Sequence, residues 1–398
     1  MPPHPNLAAW RAATPGCAHR IHLNNAGAAL MPEVVHRAIT DHLQLESEMG
    51  GYEAADAQAG EIATGYADLA ALVGAKPDEI AVTSSATSAF ALALSTIDWQ
   101  AGDRLVTTLC DYTSNQIQYL ALARRRGVQI LHAPDLPEGG VDPEGVRALV
   151  AGGGVKAVAV SWVPTNSGLV QDAESVGAIC EEFGVPYLVD ACQTVGQMPV
   201  DVTRLKCDYL STTGRKFLRA PRGIGFLYVS ERALRRGDHP LFVDMRGADW
   251  TGPDDYQVVP TARRFEEWER PYALQLGMAA AARYALEVGL ETAQVRTWAL
   301  AEQLREGLSA IPGVRVLDRG ATRCAIVTFH AAGWDSRELV IELGRHRVNA
   351  IVSLRQFGIF DFDAKGVEHA VRLSPHYYNT DGEVAAALEA VGGDSRRP

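Results

Sequence analysis

No stretch of these 398 residues approaches the ~18 consecutive apolar residues of a membrane span. The Met1-Pro-Pro-His-Pro-Asn6 start has neither the basic nor the apolar region of a secretion signal, so a cytoplasmic protein is expected. The six cysteines (Cys17, Cys110, Cys180, Cys192, Cys207 and Cys324) are scattered without a CxxC pair, which speaks against a metal site and against a secreted disulfide framework. Acidic residues outnumber basic ones 48 to 37, a net charge of −11, so no overall basic field draws the chain onto nucleic acid or a membrane surface. Internal repeats and low-complexity tracts are lacking too. A small-molecule partner is the class these absences leave.

Hydrophobic residues at 47% and charged residues at 21% describe an ordinary globular protein, with length for two or three domains. Strands are expected at 79–83, 104–107, 129–132, 157–161, 186–189 and 225–229, and helices at 32–49, 61–73, 143–150 and 172–183. Such alternation is the pattern of an α/β fold, parallel strands under helices with ligands at the carboxyl ends of the strands. Beyond residue 270 come two long helices, 274–288 and 295–308. Short strands at 314–317, 325–329, 350–354 and 371–374 follow, with helices at 336–344 and from 380, an α+β module large enough to be a smaller domain. The expected divisions are 1–55, 56–270 and 271–398.

Lys216 lies at the centre of the loop-like run between the strand residues Tyr209-Leu210 and Gly225–Val229. On its own it reads more readily as a solvated surface charge. Pyridoxal phosphate needs a lysine of this kind together with a carboxylate at its ring nitrogen and a cradle for its phosphate. Ser84-Ser-Ala-Thr87 stands where a strand switches to a helix, and free N–H groups there can hold a phosphate; a plain N-cap cluster explains the same residues. Asp190 directly follows an apolar strand, with Gln193 three residues on, and an aspartate so placed can keep a pyridine nitrogen protonated. The Asn24-Asn-Ala-Gly27 loop suits either a connection or a substrate rim.

Four motifs in order, Ser85-Ala-Thr87, Val189-Asp-Ala-Cys-Gln193, Thr213-Gly-Arg-Lys216 and Val371-Arg-Leu-Ser374 with Tyr378-Asn-Thr380, make the chain resemble the class V aminotransferase family. These are fold-type I pyridoxal phosphate enzymes that include cysteine desulfurases and isopenicillin N epimerase-like proteins. The resemblance implies a large cofactor domain with a mainly parallel, seven-stranded-type sheet between helices, a smaller C-terminal α+β domain, and an N-terminal segment serving the active site and the small domain. It implies that Lys216 carries the cofactor as a Schiff base and moves protons at Cα and Cβ. By the same resemblance Asp190 pairs with the ring nitrogen, Gln193 reaches the ring hydroxyl, and Ala86, Thr87, Thr213 and Arg215 hold the phosphate. Tyr112 stands where the family commonly stacks a histidine on the ring; stacking survives that exchange and the imidazole's acid–base role does not. Arg372 clamps the α-carboxylate of an amino-acid substrate, and Asn25, Thr165 and Asn166 are further substrate contacts. The family also forms homodimers with shared active sites, with Arg264-Phe-Glu266 reaching across.

Two departures bear on the reaction. Arg215 precedes the lysine where desulfurases have histidine, and no cysteine occurs between Asn349 and Arg372, where a desulfurase needs its persulfide-forming nucleophile. The Arg-Lys pair, Gly50-Gly-Tyr-Glu-Ala-Ala55 and Arg264-Phe-Glu-Glu-Trp-Glu269 resemble the hercynylcysteine sulfoxide lyases and related lincosamide-pathway enzymes that process cysteine conjugates, while Leu23–Gly27 is closer to the epimerase-like branch. The expected activity is a C–S β-lyase releasing thiol or sulfenate, pyruvate and ammonia. Decarboxylating deamination, epimerisation, transamination and a non-catalytic binding role are the alternatives.

Overall fold

Seven short strands with almost no polar surface make up the central layer of the computed structural model, which describes residues 4–393. The extreme start at Met1, on which the cytoplasmic expectation leaned, lies outside the described residues. The strands are Ile80–Thr83 (β1), Arg104–Thr108 (β2), Gln129–Ala133 (β3), Val155–Ser161 (β4), Tyr187–Asp190 (β5), Tyr209–Thr213 (β6) and Gly225–Val229 (β7), and the sheet order is β1-β7-β6-β5-β4-β2-β3. Every residue of β1, β5, β6 and β7 is buried, because helices cover both faces; such strands read as continuous runs and not as alternations. Val106, Val158, Val189 and Leu210 pack on one side with Tyr66 and Leu69. Their neighbours Leu105, Ala157, Leu188 and Tyr209 pack on the other with Phe90 and Tyr119. Each fully buried Val or Leu here contributes roughly 1.5–3 kcal/mol.

Strands β2 to β6 run parallel, whereas β7 is antiparallel to both of its neighbours. The connection 214–224 is too short for the crossover that a parallel partner requires, so the chain doubles back. Lys216 stands in that return.

The smaller layer contains Val314–Val316 (β8), Val327–Ala331 (β9), Ile351–Leu354 (β10) and His369–Leu373 (β11), antiparallel in the order β8-β9-β11-β10. Leu304, Leu343 and Val384, from helices Leu290–Ala310, Ser336–Arg345 and Asp381–Gly392, fill its core. The N-terminal segment joins it, with Ile21–His22 pairing parallel to Val348–Asn349. Helix Tyr272–Val288 instead buries Met278 and Ala280 in the core of the large sheet.

Among the elements that carried no readable signal are the helices Gly51–Ala57, Thr113–Arg126 and Ile359–Lys365, and the hairpin Ala248–Gly252/Asp255–Val258. Arg264 and Glu266, expected to reach across a subunit boundary, turn inward. Arg264 donates to the carbonyls of Val259 (2.9 Å) and Asp238 (3.1 Å), and Glu266 accepts from the Tyr66 hydroxyl (2.7 Å) and the Val82 amide (2.9 Å). The edge-strand N–H of Val82 thereby gains an acceptor, while the other Glu266 oxygen pairs with Arg246 (3.4 Å) and Arg270 (3.3 Å). No helix among the described residues is long and apolar enough to cross a membrane.

Candidate active site

At the carboxyl ends of β5 and β6 lies a cavity of about 270 Å³ lined by Ser84 to Thr87, Tyr112, Asn115, Asp190, Cys192, Thr213, Arg215, Lys216, Arg222 and Gly223. Its floor is the start of helix Ala86–Ser95. Ser85 caps that helix by accepting from the Ser88 amide (3.1 Å), and the remaining first-turn N–H groups have no intrahelical acceptor. Gly225 lets β7 pass beneath this turn: a Cβ there would lie 2.3 Å from the Thr212 carbonyl oxygen and 3.2 Å from the Ala86 nitrogen. Open N–H groups, hydroxyls and Arg222 make this end of the cavity fit for a phosphate.

Asp190 is buried at the end of β5 and accepts from the Cys192 amide (2.9 Å) and the Asn115 side-chain amide (3.1 Å). The same Asn115 nitrogen lies 3.2 Å from Asp111. Asp111 also receives the Tyr112 amide (2.6 Å), Thr107 (2.8 Å), Tyr119 (2.9 Å) and Ser161. Burial pushes the Asp111 carboxyl above its usual range, with the Ser161 and Thr107 hydroxyls opposing. One amide thus ties the carboxylate facing the cavity to a carboxylate held entirely inside the protein.

Lys216 is only 6% exposed. Among the described residues its ammonium has no hydrogen-bond acceptor, and its nearest recorded partner is the Tyr112 ring, 5.8 Å from the ring centroid. Burial lowers its pKa below the ordinary lysine value; Cys192 and Asp190 oppose this, and Arg215 and Arg372 add to it. The neutral amine that attacks a carbonyl is therefore favoured.

A second cluster borders the site. The Thr165 hydroxyl accepts from both Gln193 (2.8 Å) and Arg372 (3.0 Å), and the Thr165 carbonyl takes a further Arg372 bond (3.0 Å). The other end of the guanidinium reaches Asn24 at 3.3 Å. Two buried polar atoms in this cluster have no partner, Arg372 Nε and Gln193 Oε1. Burial, with Arg215 nearby, brings Arg372 down to about 10. A cation buried without a carboxylate is what an incoming carboxylate satisfies.

Tyr112, Ala86, Thr87, Asp190, Thr213, Arg215 and Lys216 thus converge on one cavity, with Gln193, Thr165 and Arg372 in the adjoining cluster. Arg215 spends one guanidinium nitrogen on the Gly27 carbonyl. Asn25 and Asn166 are placed elsewhere. Asn25 is fully buried, donating to Ser374 (2.8 Å) and His22 (3.1 Å) and accepting from Tyr378. Asn166 is turned onto Phe357 (2.5 Å) and, through its carbonyl, onto Lys365 (3.0 Å). Asn24, one residue earlier, is the amide that meets Arg372. Asn115 and Arg222 escaped the sequence reading; a helix opening at the carboxyl end of β2 would have drawn attention to Asn115.

Residues 21–386 match the family model "Aminotransferase class-V", and the chain belongs to that family. It is 27% identical over 326 residues to a "Probable cysteine desulfurase" of Pyrococcus abyssi, covering 80% of each chain. It is 26% identical over 385 residues to a "Probable hercynylcysteine sulfoxide lyase" of Mycobacterium tuberculosis, covering 96% of this chain and 92% of the relative. Among solved structures, the apo cysteine desulfurase of Thermococcus onnurineus superposes with a TM-score of 0.89 at 24% identity over 97% of both chains. The protein is a pyridoxal phosphate-dependent enzyme of the fold-type I class. The phosphate turn, Asp190, Lys216 and the unpartnered Gln193 Oε1 all fit that cofactor.

Proposed function

We propose that the protein is a C–S β-lyase that cuts an S-substituted cysteine or its sulfoxide to a thiol or sulfenate, pyruvate and ammonia, in low-molecular-weight thiol or secondary metabolism. Pyridoxal phosphate, when bound, supplies an electron sink for negative charge at the Cα of an amino acid. Asp190, its two oxygens fixed by Asn115 and the Cys192 amide, would hold the proton on the ring nitrogen. Tyr112 would pack on the ring, and the open turn at Ala86 and Thr87 would hold the phosphate. Arg372 orients the α-carboxylate through its planar fork. Lys216, its neutral amine favoured by burial, takes the Cα proton. The C–S bond then breaks with its electron pair on sulfur, Lys216 returns a proton to the leaving group, and the three-carbon fragment takes up water and departs as pyruvate and ammonia.

The observation that carries this reading is the state of the thiols. A desulfurase transfers sulfur to a reactive cysteine thiolate. Here Cys110, Cys180, Cys192, Cys207 and Cys324 are buried and Cys17 is partly so; burial raises the pKa of every one of the six. The segment that would bear the nucleophile is instead helix Ile359–Lys365, pinned by Lys365 to Asp361 (2.6 Å) and to the Asn166 carbonyl. The relatives named as desulfurases favour sulfur capture, and the relative named as a sulfoxide lyase favours elimination; the missing thiol is what supports elimination. A homodimer is part of the proposal, supported by the exposed Leu241, Phe242, Met245 and Trp250.

The test is pyruvate release from S-alkyl cysteines and their sulfoxides, with Lys216→Ala as control. Pyruvate from the wild type and none from the variant is expected. A cofactor-loaded protein that gives no pyruvate from any of them overturns the reading.

A further inference from the structure

The loop bearing Lys216 is gripped from outside by residues that do not line the active-site cavity. Three residues after the lysine, Arg219 adopts a left-handed backbone (φ 64°) and is buried at 2% exposure. Its guanidinium forms no ion pair among the described residues. It donates to the Leu30 carbonyl (2.9 Å), the Tyr377 hydroxyl (2.6 Å) and the Thr14 hydroxyl (2.6 Å), and lies 4.5 Å from the Tyr378 ring centroid and 5.3 Å from that of Tyr377. Such a cation is costly unless the aromatic faces and neutral acceptors compensate it.

Beside it, His376 is fully buried. Its Nδ1 lies 2.9 Å from the Tyr377 amide, which can only donate, so Nε2 carries the proton and donates to the Phe217 carbonyl at 2.9 Å. The ring is stacked on Tyr378 at 5.2 Å. Phe217 is the residue directly after the lysine, and His376 follows Arg372 by one turn of chain at the end of β11. The arginine of the substrate cluster and the backbone beside the lysine are therefore joined through one short rigid segment, Ser374 to Tyr378, whose start is itself bonded to Leu23 (2.7 Å).

We infer that His376 and Tyr377 are positioning residues: the segment that carries the substrate-carboxylate arginine holds the lysine loop by its Phe217 carbonyl and its Arg219 side chain, setting where the Lys216 amine stands relative to the reacting carbon. The inference rests on the assignment of Arg372 and Lys216 made above, but not on which group leaves from Cβ. Proton transfer falls off steeply with misplacement, by about a hundredfold for an ångström.

Three variants of the cofactor-loaded enzyme test it. His376→Phe keeps volume and stacking but leaves the Phe217 carbonyl without its donor; His376→Gln restores a donor; Tyr377→Phe removes only the hydroxyl that meets Arg219. For His376→Phe the expectation is a kcat lower by roughly ten- to a hundredfold with KM little changed, and a shift in the pH midpoint of the cofactor's visible band, both largely restored in His376→Gln. Tyr377→Phe gives the same effects in milder form and covers the case in which His376→Phe does not fold. The spectral midpoint needs no turnover, so it is readable whether or not pyruvate is the product. A spectral midpoint and kcat like wild type in Tyr377→Phe and in any folded His376→Phe overturn the inference. So does a loss of thermal stability and bound cofactor with kcat per bound cofactor and midpoint unchanged, which is the signature of a purely structural contact.

Discussion

Replacing Arg372 by methionine separates what the arginine does for binding from what it costs the fold. The guanidinium is buried, donates to Thr165 twice and to Asn24 once, and leaves Nε without a partner. Its drop from 12.5 to about 10 corresponds to a penalty on the order of 3 kcal/mol for keeping it charged without an anion. Methionine removes that penalty, gains apolar burial, and loses hydrogen bonds from a charged donor to three neutral acceptors, each about 1.5 kcal/mol net. The two nearly cancel, so the thermal midpoint of the cofactor-loaded Arg372→Met protein should stay within a few degrees of wild type. Binding is different: two charge-assisted bonds to a carboxylate at about 1.5–3 kcal/mol each amount to a loss in kcat/KM of roughly 10² to 10⁴. Arg372→Lys keeps charge without the fork and should fall between. The assay pairs steady-state kinetics with thermal melts in the presence and absence of a non-reactive α-amino acid, which should stabilise wild type and leave Arg372→Met unmoved. A variant that unfolds, or one that keeps its kcat/KM, would refute this assignment and make Arg372 a structural centre.

Other perturbations follow from the same geometry. Asn115→Leu takes away the donor shared by Asp190 and Asp111 and should weaken cofactor binding by about tenfold, measured by titrating apoprotein with pyridoxal phosphate; unchanged affinity would mean that Asn115 only packs. Gly225→Ala drives a Cβ to 2.3 Å from the Thr212 oxygen, and should both destabilise the protein by several kcal/mol and loosen the phosphate turn; a wild-type melting curve contradicts it. Stability should also fall in acid. Burial holds His376 well below 6.5, with Arg219 adding to the effect, and lowers His22 too, so below about pH 6.5 the unfolded chain binds protons that the folded one does not. Each such group costs up to about 1.4 kcal/mol per pH unit, and His376→Gln should flatten the slope of urea-unfolding free energy between pH 7 and pH 5.

The residues legible in the sequence are those whose role is written in their immediate neighbours. Asp190 closes an apolar strand, Thr87 opens a helix after a strand, and Lys216 sits in a loop between strand ends; in each case the local pattern names the position at the sheet's edge. The sheet itself was readable for the same reason, since buried strands are short apolar runs. What stayed hidden depends on partners far along the chain. Asn25 and Asn24 are adjacent amides, and only packing against Tyr378 and Ser374, some 350 residues on, decides which one is buried and which meets Arg372. Helix Thr113–Arg126 is polar and ends in three arginines, so its apolar face was too thin to show, and Asn115 went with it. Arg264 and Glu266, expected at a subunit boundary, show their inward contacts only once the Val259 and Asp238 carbonyls and the Val82 amide are placed beside them.

The product balance from an S-alkyl cysteine tests the central claim most directly. Thiol, pyruvate and ammonia measured together in one reaction should appear in equal amounts, with no alanine formed and no alkylthio group captured on the protein. Alanine accompanied by a protein-bound mixed disulfide carrying the alkylthio group would show sulfur capture on a cysteine and contradict elimination as this enzyme's chemistry.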